Sequence, residues 1–205
     1  MKIQLIIFAL LLFAQISCKN NLNEEIAPLS PTNITAFQQF MLDEINLART
    51  NPGLYADLRL KSDRDNASDN GSYDYLASLT PQALLTFSNS LNVAASNYAQ
   101  FLAEKNVMGH EENGTPLKRA IMVGFDGSTI GENIAASVYD SYNSILNPQG
   151  AAINFIRLMI IDNGVSDLGH RTTMLNCKYK TVGIGYNRNP TSTYINYNVQ
   201  DFGNL

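Results

Sequence analysis

Cysteine, histidine and charged side chains are all scarce in this chain of 205 residues. It contains two cysteines and two histidines, and only 16% of its residues are charged. Two cysteines cannot build a network of disulfides or a four-thiolate zinc site, so the stability of the fold must come from a buried core. The 14 basic and 18 acidic residues give a net charge of -4, which excludes a diffuse attraction to nucleic acid. The low charge content is typical of secreted proteins.

The apolar content is high enough for one generous domain. Apolar residues make up 45% of the chain, which is enough to bury a core, so a wholly disordered chain is excluded. The N-terminus carries a short positive end, Met1-Lys2, and then an unbroken apolar run from Leu5 to Ala14. A run of this length is too short to span a bilayer, which needs about 20 residues, and is typical of a secretory signal peptide. We therefore predict a leader over residues 1–18, no transmembrane span, and a protein that is secreted or tethered at the cell surface.

Cys18 allows two forms of the processed chain. Ser17-Cys18 is typical of a lipoprotein signal, in which the cysteine becomes acylated, although Gln15 stands where such signals usually carry an aliphatic residue. An ordinary signal peptidase could instead cut just after Cys18, and both alternatives stay open. Cys177 has no evident disulfide partner unless Cys18 is retained and bridges to it, so we expect a half-buried structural thiol. Residues 19–34 have no helical or strand period and predict a tether, with the folded domain at 35–205.

Helical periodicity dominates the domain, and strand periodicity is confined to its end. Apolar spacing and capping residues predict helices that begin after Thr35, Pro52, Ser88 and Thr115, with others over 151–161 and 170–175. Residues 61–75 lack a period and predict a surface loop. Alternation over 182–187 and 194–202 predicts an antiparallel hairpin with Phe202 in the core. Helices followed by paired strands indicate an α+β fold, as an α-β-α sandwich with an antiparallel sheet.

The two histidines share one local context. His110 and His170 each follow a glycine and precede a charged residue, at predicted helix and loop boundaries, and between them lies Gly131-Glu132-Asn133. Two neutral imidazoles can bind a zinc-like divalent cation, and nearby carboxylates can complete the shell or orient the rings. Glu132 could then act as a base toward a bound water. A hydrogen-bonded polar network that only holds loops together is the structural alternative.

These pieces, in this order, resemble the CAP superfamily, also called the SCP or PR-1-like domain, of the microbial secreted single-domain type. The resemblance covers roughly residues 36–203 and includes five motifs: Asn46-Leu-Ala-Arg-Thr-Asn-Pro, Gly109-His110, Gly131-Glu132-Asn133, Gly169-His170-Arg171 and the closing glycine-rich hairpin.

The resemblance implies an α-β-α sandwich with a cleft that gathers two histidines and two acids. His110, Glu132 and His170 match three of these positions. The fourth position is either Asp162 or Asp167. We prefer Asp162, because it ends a helix and can turn back toward a cleft, whereas Asp167 is better explained as the cap of the helix that carries His170.

Three functions remain open from the sequence. The first is a secreted or surface-tethered binding domain, expected to be a monomer, which takes up weakly bound Zn²⁺ or another divalent cation and, as the resemblance implies, a lipid-like or peptide ligand. The alternative is a metal-dependent extracellular hydrolase, a peptidase, with His110, Glu132 and His170 as candidate catalytic residues. The third is a structural surface protein. The chain has no His-Glu-x-x-His or Gly-x-Ser-x-Gly motif that would favour an enzyme.

Overall fold

The computed structural model of the protein describes residues 8–10 and 34–204. The predicted leader and tether, and with them Cys18, lie outside the described residues, apart from 8–10 and Ile34. No helix within the described ranges has both the length and the apolar character needed to cross a membrane.

The described residues form eight α-helices and five strands, and the three longest strands all lie within residues 129–204. The helices are α1 (Ala36–Thr50), α2 (Pro52–Tyr55), α3 (Lys61–Asp65), α4 (Ser72–Ser78), α5 (Asn89–Lys105), α6 (Pro116–Met122), α7 (Pro148–Ile161) and α8 (Gly169–Met174), with a π-helical turn at Ala56–Leu60 and a 3₁₀ turn at Asp140–Tyr142. The strands are β1 (Phe8–Leu10), β2 (Thr86–Phe87), β3 (Thr129–Ser137), β4 (Thr181–Arg188) and β5 (Asn196–Asn204).

The strands form one sheet in the order β1-β3-β5-β4-β2. β4 and β5 make the predicted antiparallel hairpin, and β3 pairs antiparallel with the other side of β5. The predicted antiparallel sheet is confirmed for the long strands, and the short strand β2 adds one parallel pair with β4. The chain passes through β2 on its way into α5, and the amides of Thr86 and Ser88 bond the carbonyls of Lys180 and Val182.

The sheet lies between two layers of helices, as predicted. Val182 and Ile184 of β4 belong to a buried cluster with α1 and α7. The alternate residues, Gly183 and Gly185, face α5 so closely that a Cβ on Gly185 would lie 2.0 Å from the Ala95 carbonyl oxygen. Since neighbouring residues of a strand point to opposite faces, α5 covers one face and α1 and α7 cover the other.

The predicted helix starts are confirmed where a capping residue is present. Thr35 and Gln38 form a capping box at the start of α1, and the Ser88 hydroxyl accepts from the Leu91 amide at the start of α5. The prediction failed at residues 61–75, where α3 and much of α4 replace the expected loop. These short helices are held by contacts that local periodicity does not show: the Asp63 carboxylate accepts from the Arg157 Nε at 2.7 Å, and Leu76 is fully buried.

The chain end belongs to the fold. Phe202 is fully buried in β5, which confirms the predicted core position.

The expectation that Cys177 is a half-buried thiol is wrong, because the residue is exposed.

Candidate functional site

His110 and Glu132 form a buried pair at one face of the sheet. The His110 Nδ1 lies 2.8 Å from the Glu132 Oε1, and both residues are less than a tenth exposed. Glu132 is in the body of β3 and not at an exposed strand end. His110 lies in the turn between α5 and α6, which Tyr98 holds by donating to the Gly109 carbonyl at 2.6 Å. Burial raises the pKa of Tyr98 to about 12, so its hydroxyl keeps the proton that it donates.

Arg119 joins this pair to its surroundings. Its guanidinium donates to the Glu132 Oε2, to the Gly114 carbonyl and, at 2.9 Å, to the His110 carbonyl. The same group lies 3.4 Å from the centroid of the Tyr98 ring, which is the geometry of a cation–π contact. One arginine therefore neutralises Glu132 and positions the segment that carries His110.

Asp201 is a member of this cluster that the sequence analysis did not assign to the site. It pairs with Glu132 across β3 and β5, and it is fully buried. Within the part of the chain that the structure describes, neither of its carboxylate oxygens receives a hydrogen bond. Burial, and then the negative charge of Glu132, hold the pKa of Asp201 well above its usual range. The sequence signal was an acid directly before a core phenylalanine in an alternating strand.

His170 and Asp162 form a second buried pair. The His170 Nδ1 lies 2.6 Å from the Asp162 Oδ1, while the Asp162 Oδ2 accepts the amides of His170 at 3.0 Å and Arg171 at 3.2 Å. Asp162 can do both because it ends α7 in the left-handed region, with φ of 58°. One carboxylate therefore caps the start of α8 and orients the imidazole.

Asp167, the other candidate acid, has a local role. Its Oδ1 accepts from the Gly169 amide at 3.2 Å, at the beginning of α8. The capping position itself is Leu168, in the left-handed conformation and without a side-chain bond, so the prediction that Asp167 is the N-cap residue is wrong by one position. The structure places Asp162, and not Asp167, against the imidazole of His170.

The free edge of the His170 ring is also buried. Its Nε2 has no hydrogen-bond partner among residues 8–10 and 34–204, and the residue is fully buried. A buried polar atom without a partner is costly, and an imidazole nitrogen is a common ligand for a divalent cation.

Both segments that carry the histidines are bonded to β3. Glu132 contacts His110, and the next residue, Asn133, donates its side-chain amide to the His170 carbonyl at 3.1 Å. Consecutive residues of β3 therefore hold the two segments that carry the histidines. Across the described ranges, no three side chains among His, Cys, Asp and Glu come together as a ready metal-binding group.

One known family matches most of this chain. The model of the family described as "CAP: Cysteine-rich secretory protein family" matches residues 42–202. A comparison with curated proteins gave no match.

Solved structures that are similar to this chain include one extracellular protein and one outer surface protein. An extracellular protein of Bacillus anthracis that contains an SCP domain is 20% identical, with a TM-score of 0.46, over 60% of this chain and 35% of its own. The chain thus spans about a third of that protein. An outer surface protein of Borrelia burgdorferi is 20% identical, with a TM-score of 0.48, over 84% of this chain and 96% of its own. Venom allergen-like protein 4 of Schistosoma mansoni is 15% identical, with a TM-score of 0.46, over 83% of this chain and 89% of its own.

Proposed function

The chain belongs to the cysteine-rich secretory protein (CAP) family, and from this premise we propose that it is an exported binding domain that takes up a divalent cation at His110 and His170. The apolar run from Leu5 to Ala14 supports export, and Cys18 is the candidate for a lipid anchor. The acids Glu132 and Asp162 orient the two imidazoles.

The orientation of the histidines is the observation that carries this proposal. Each ring is bonded through Nδ1 to a buried carboxylate, at 2.8 Å for His110 and 2.6 Å for His170. A carboxylate in this position is what usually fixes the tautomer and direction of a metal-binding imidazole. The residues fit a site with imidazole ligands. No three side chains among His, Cys, Asp and Glu in the described ranges form a ready metal-binding group, so we expect weak binding, with water completing the shell.

Zinc titration by calorimetry tests the proposal. Wild-type protein should bind one Zn²⁺ in the micromolar range or weaker, and His170→Ala and His110→Ala should each abolish measurable binding. Glu111→Gln is the matched control, because Glu111 is an exposed acid next to His110. Affinity should fall as the pH drops below about 6, since an imidazole must be neutral to bind a metal and its ordinary pKa is about 6.5. Equal zinc affinity in wild type and the double alanine variant would defeat the proposal.

A metal-dependent peptidase is the second candidate function, and the Glu132–Asp201 pair favours it. Two buried carboxyl groups side by side, with the pKa of Asp201 raised, can hold one proton between them. Such a pair supplies both an acid and a base next to a candidate metal ligand. Glu132→Gln is the variant that separates binding from catalysis.

A lipid-like ligand is supported by a cavity away from the histidines. It has a volume of about 340 Å³ and lies between the start of α1, the start of α7 and the end of β4. Phe37, Ile145 and Tyr186 supply its apolar walls, and none of the described residues that line it is charged. An uncharged apolar cavity of this size suits part of an alkyl chain or a similar apolar group.

A further inference from the structure

One edge of the sheet is completed by a segment from outside the domain. β3 pairs with β5 over its whole length, from Thr129 to Ser137. Its other edge pairs with β1 alone, whose three residues run antiparallel to Glu132–Ile134. Among the described residues, no other strand pairs with this edge.

Residues 34–204 contain three buried apolar clusters. All three buried apolar clusters of the described residues are built from side chains between Phe37 and Phe202. β1 itself lies within residues 1–18, the leader whose removal we predict. Removing the leader would leave the backbone N–H and C=O groups of this edge without strand partners. An open strand edge of this kind readily accepts another extended chain.

This edge lies inside the candidate site. Glu132 is bonded to His110, Asn133 donates to the His170 carbonyl, and α8, which carries His170, contacts β1. A chain paired with Glu132–Ile134 therefore runs between β3 and the helix of the second histidine. It lies in an extended conformation next to the strand that carries Glu132.

We propose that the processed protein binds an extended apolar peptide as an added antiparallel strand on Glu132–Ile134. The leader segment that occupies this edge is itself part of an unbroken apolar run, Leu5 to Ala14, which indicates the kind of peptide that fits. The affinity comes from backbone hydrogen bonds, as in other strand-addition complexes. The inference deepens the proposed function, on which it rests for the location of the site, by naming the class of ligand.

The test compares the binding of a labelled peptide with the binding of the same peptide after its central backbone amides have been blocked by N-methyl groups. The probe is residues 6–11, Ile-Ile-Phe-Ala-Leu-Leu, flanked by lysine pairs for solubility, and its binding is measured by fluorescence anisotropy in EDTA. The protein is the chain from Lys19 onward. A matched probe carries N-methyl groups on the amides of residues 8, 9 and 10, and a control probe carries them on the flanking lysines.

We expect the unmodified and flank-methylated probes to bind equally, and the centrally methylated probe to bind at least about tenfold more weakly, because it cannot donate to the strand. Hydrogen exchange at residues 132–134 should slow when the unmodified probe is added. The full chain from Met1 should bind the probe more weakly than the processed chain, since its own segment occupies the edge.

Two results would overturn the inference: no binding of the unmodified probe, or equal binding of the centrally methylated one. Because EDTA is present, the result does not depend on a metal. Failed peptide binding with normal zinc binding defeats this inference alone. Normal peptide binding with no zinc binding defeats the metal site and leaves the peptide site standing.

Discussion

Glu132 and Asp201 lie directly opposite each other on β3 and β5, and both carboxyl groups are buried. Arg119 donates to Glu132 and so supplies one positive charge for the two acids. Burial, and then the negative charge of Glu132, hold the pKa of Asp201 well above its usual range.

This pairing predicts an unusual pH dependence of stability. Because the folded-state pKa of Asp201 is raised, the folded protein holds a proton that the unfolded chain loses above about pH 4, and stability falls as the pH rises from there toward the folded pKa. Asp201→Asn removes the cost of ionising a buried carboxyl group, and its side-chain amide can donate a hydrogen bond toward Glu132. The free energy of unfolding, from urea titrations, should therefore rise in the variant relative to wild type, and by more at about pH 8 than at about pH 5. Asp126→Asn, at an exposed acid, should show no such trend.

The variant Glu132→Gln tests whether Glu132 only orients the His110 ring or acts as a general base. If Glu132 only holds the His110 ring, the change should weaken zinc binding about 10–100-fold and there is no turnover to lose. Folding should survive, because Asp201 lies beside Arg119 and can take up the negative charge. Circular dichroism checks the fold, and calorimetry checks the affinity. Peptide or ester hydrolysis by the wild type, lost in this variant with zinc binding intact, would instead establish Glu132 as a general base.

Gly185→Ala should disrupt the contact between α5 and the sheet. Its Cβ would lie 2.0 Å from the Ala95 carbonyl oxygen, and backbone at that distance cannot move aside without shifting the helix. We expect a loss of stability of at least about 3 kcal/mol, at the upper end of overpacking effects. Gly53→Ala is the control, because a Cβ there meets nothing within 4 Å, and thermal melts should show it unchanged or slightly stabilised. Similar melting temperatures for both variants would contradict the described packing.

Phe202→Ala should cost about 3–5 kcal/mol, the usual range for a buried phenylalanine. Leu84→Ala, at a side chain that is 56% exposed, should stay within about 0.5 kcal/mol of wild type. Truncation after Asn198 should be more severe still, because it removes residues 199–204, most of the strand that lies between β3 and β4 and pairs with both. A cooperative melt of the truncated protein at the wild-type temperature would show that β5 is misassigned.

Local signals in the sequence determined the boundaries of several elements. Thr35 with Gln38, Ser88, and Thr115 before Pro116 predicted helix starts that the structure confirms, because a capping side chain bonds an amide only two or three residues away. The alternation that ends at Phe202 predicted the hairpin, because the period of two residues along a strand can also be read from neighbouring positions in the sequence. The order of the motifs was also enough to identify the family.

Only the tertiary structure decided which groups lie together in the site. The register of β3 against β5 sets Glu132 opposite Asp201, and the left-handed end of α7 turns Asp162 back onto His170. Helices α3 and α4 likewise depend on distant partners such as Arg157. The contacts of Glu132 and of Arg157 join residues that are far apart in the chain, and the energies of all three contacts depend on burial and on neighbouring charges, which no local pattern records.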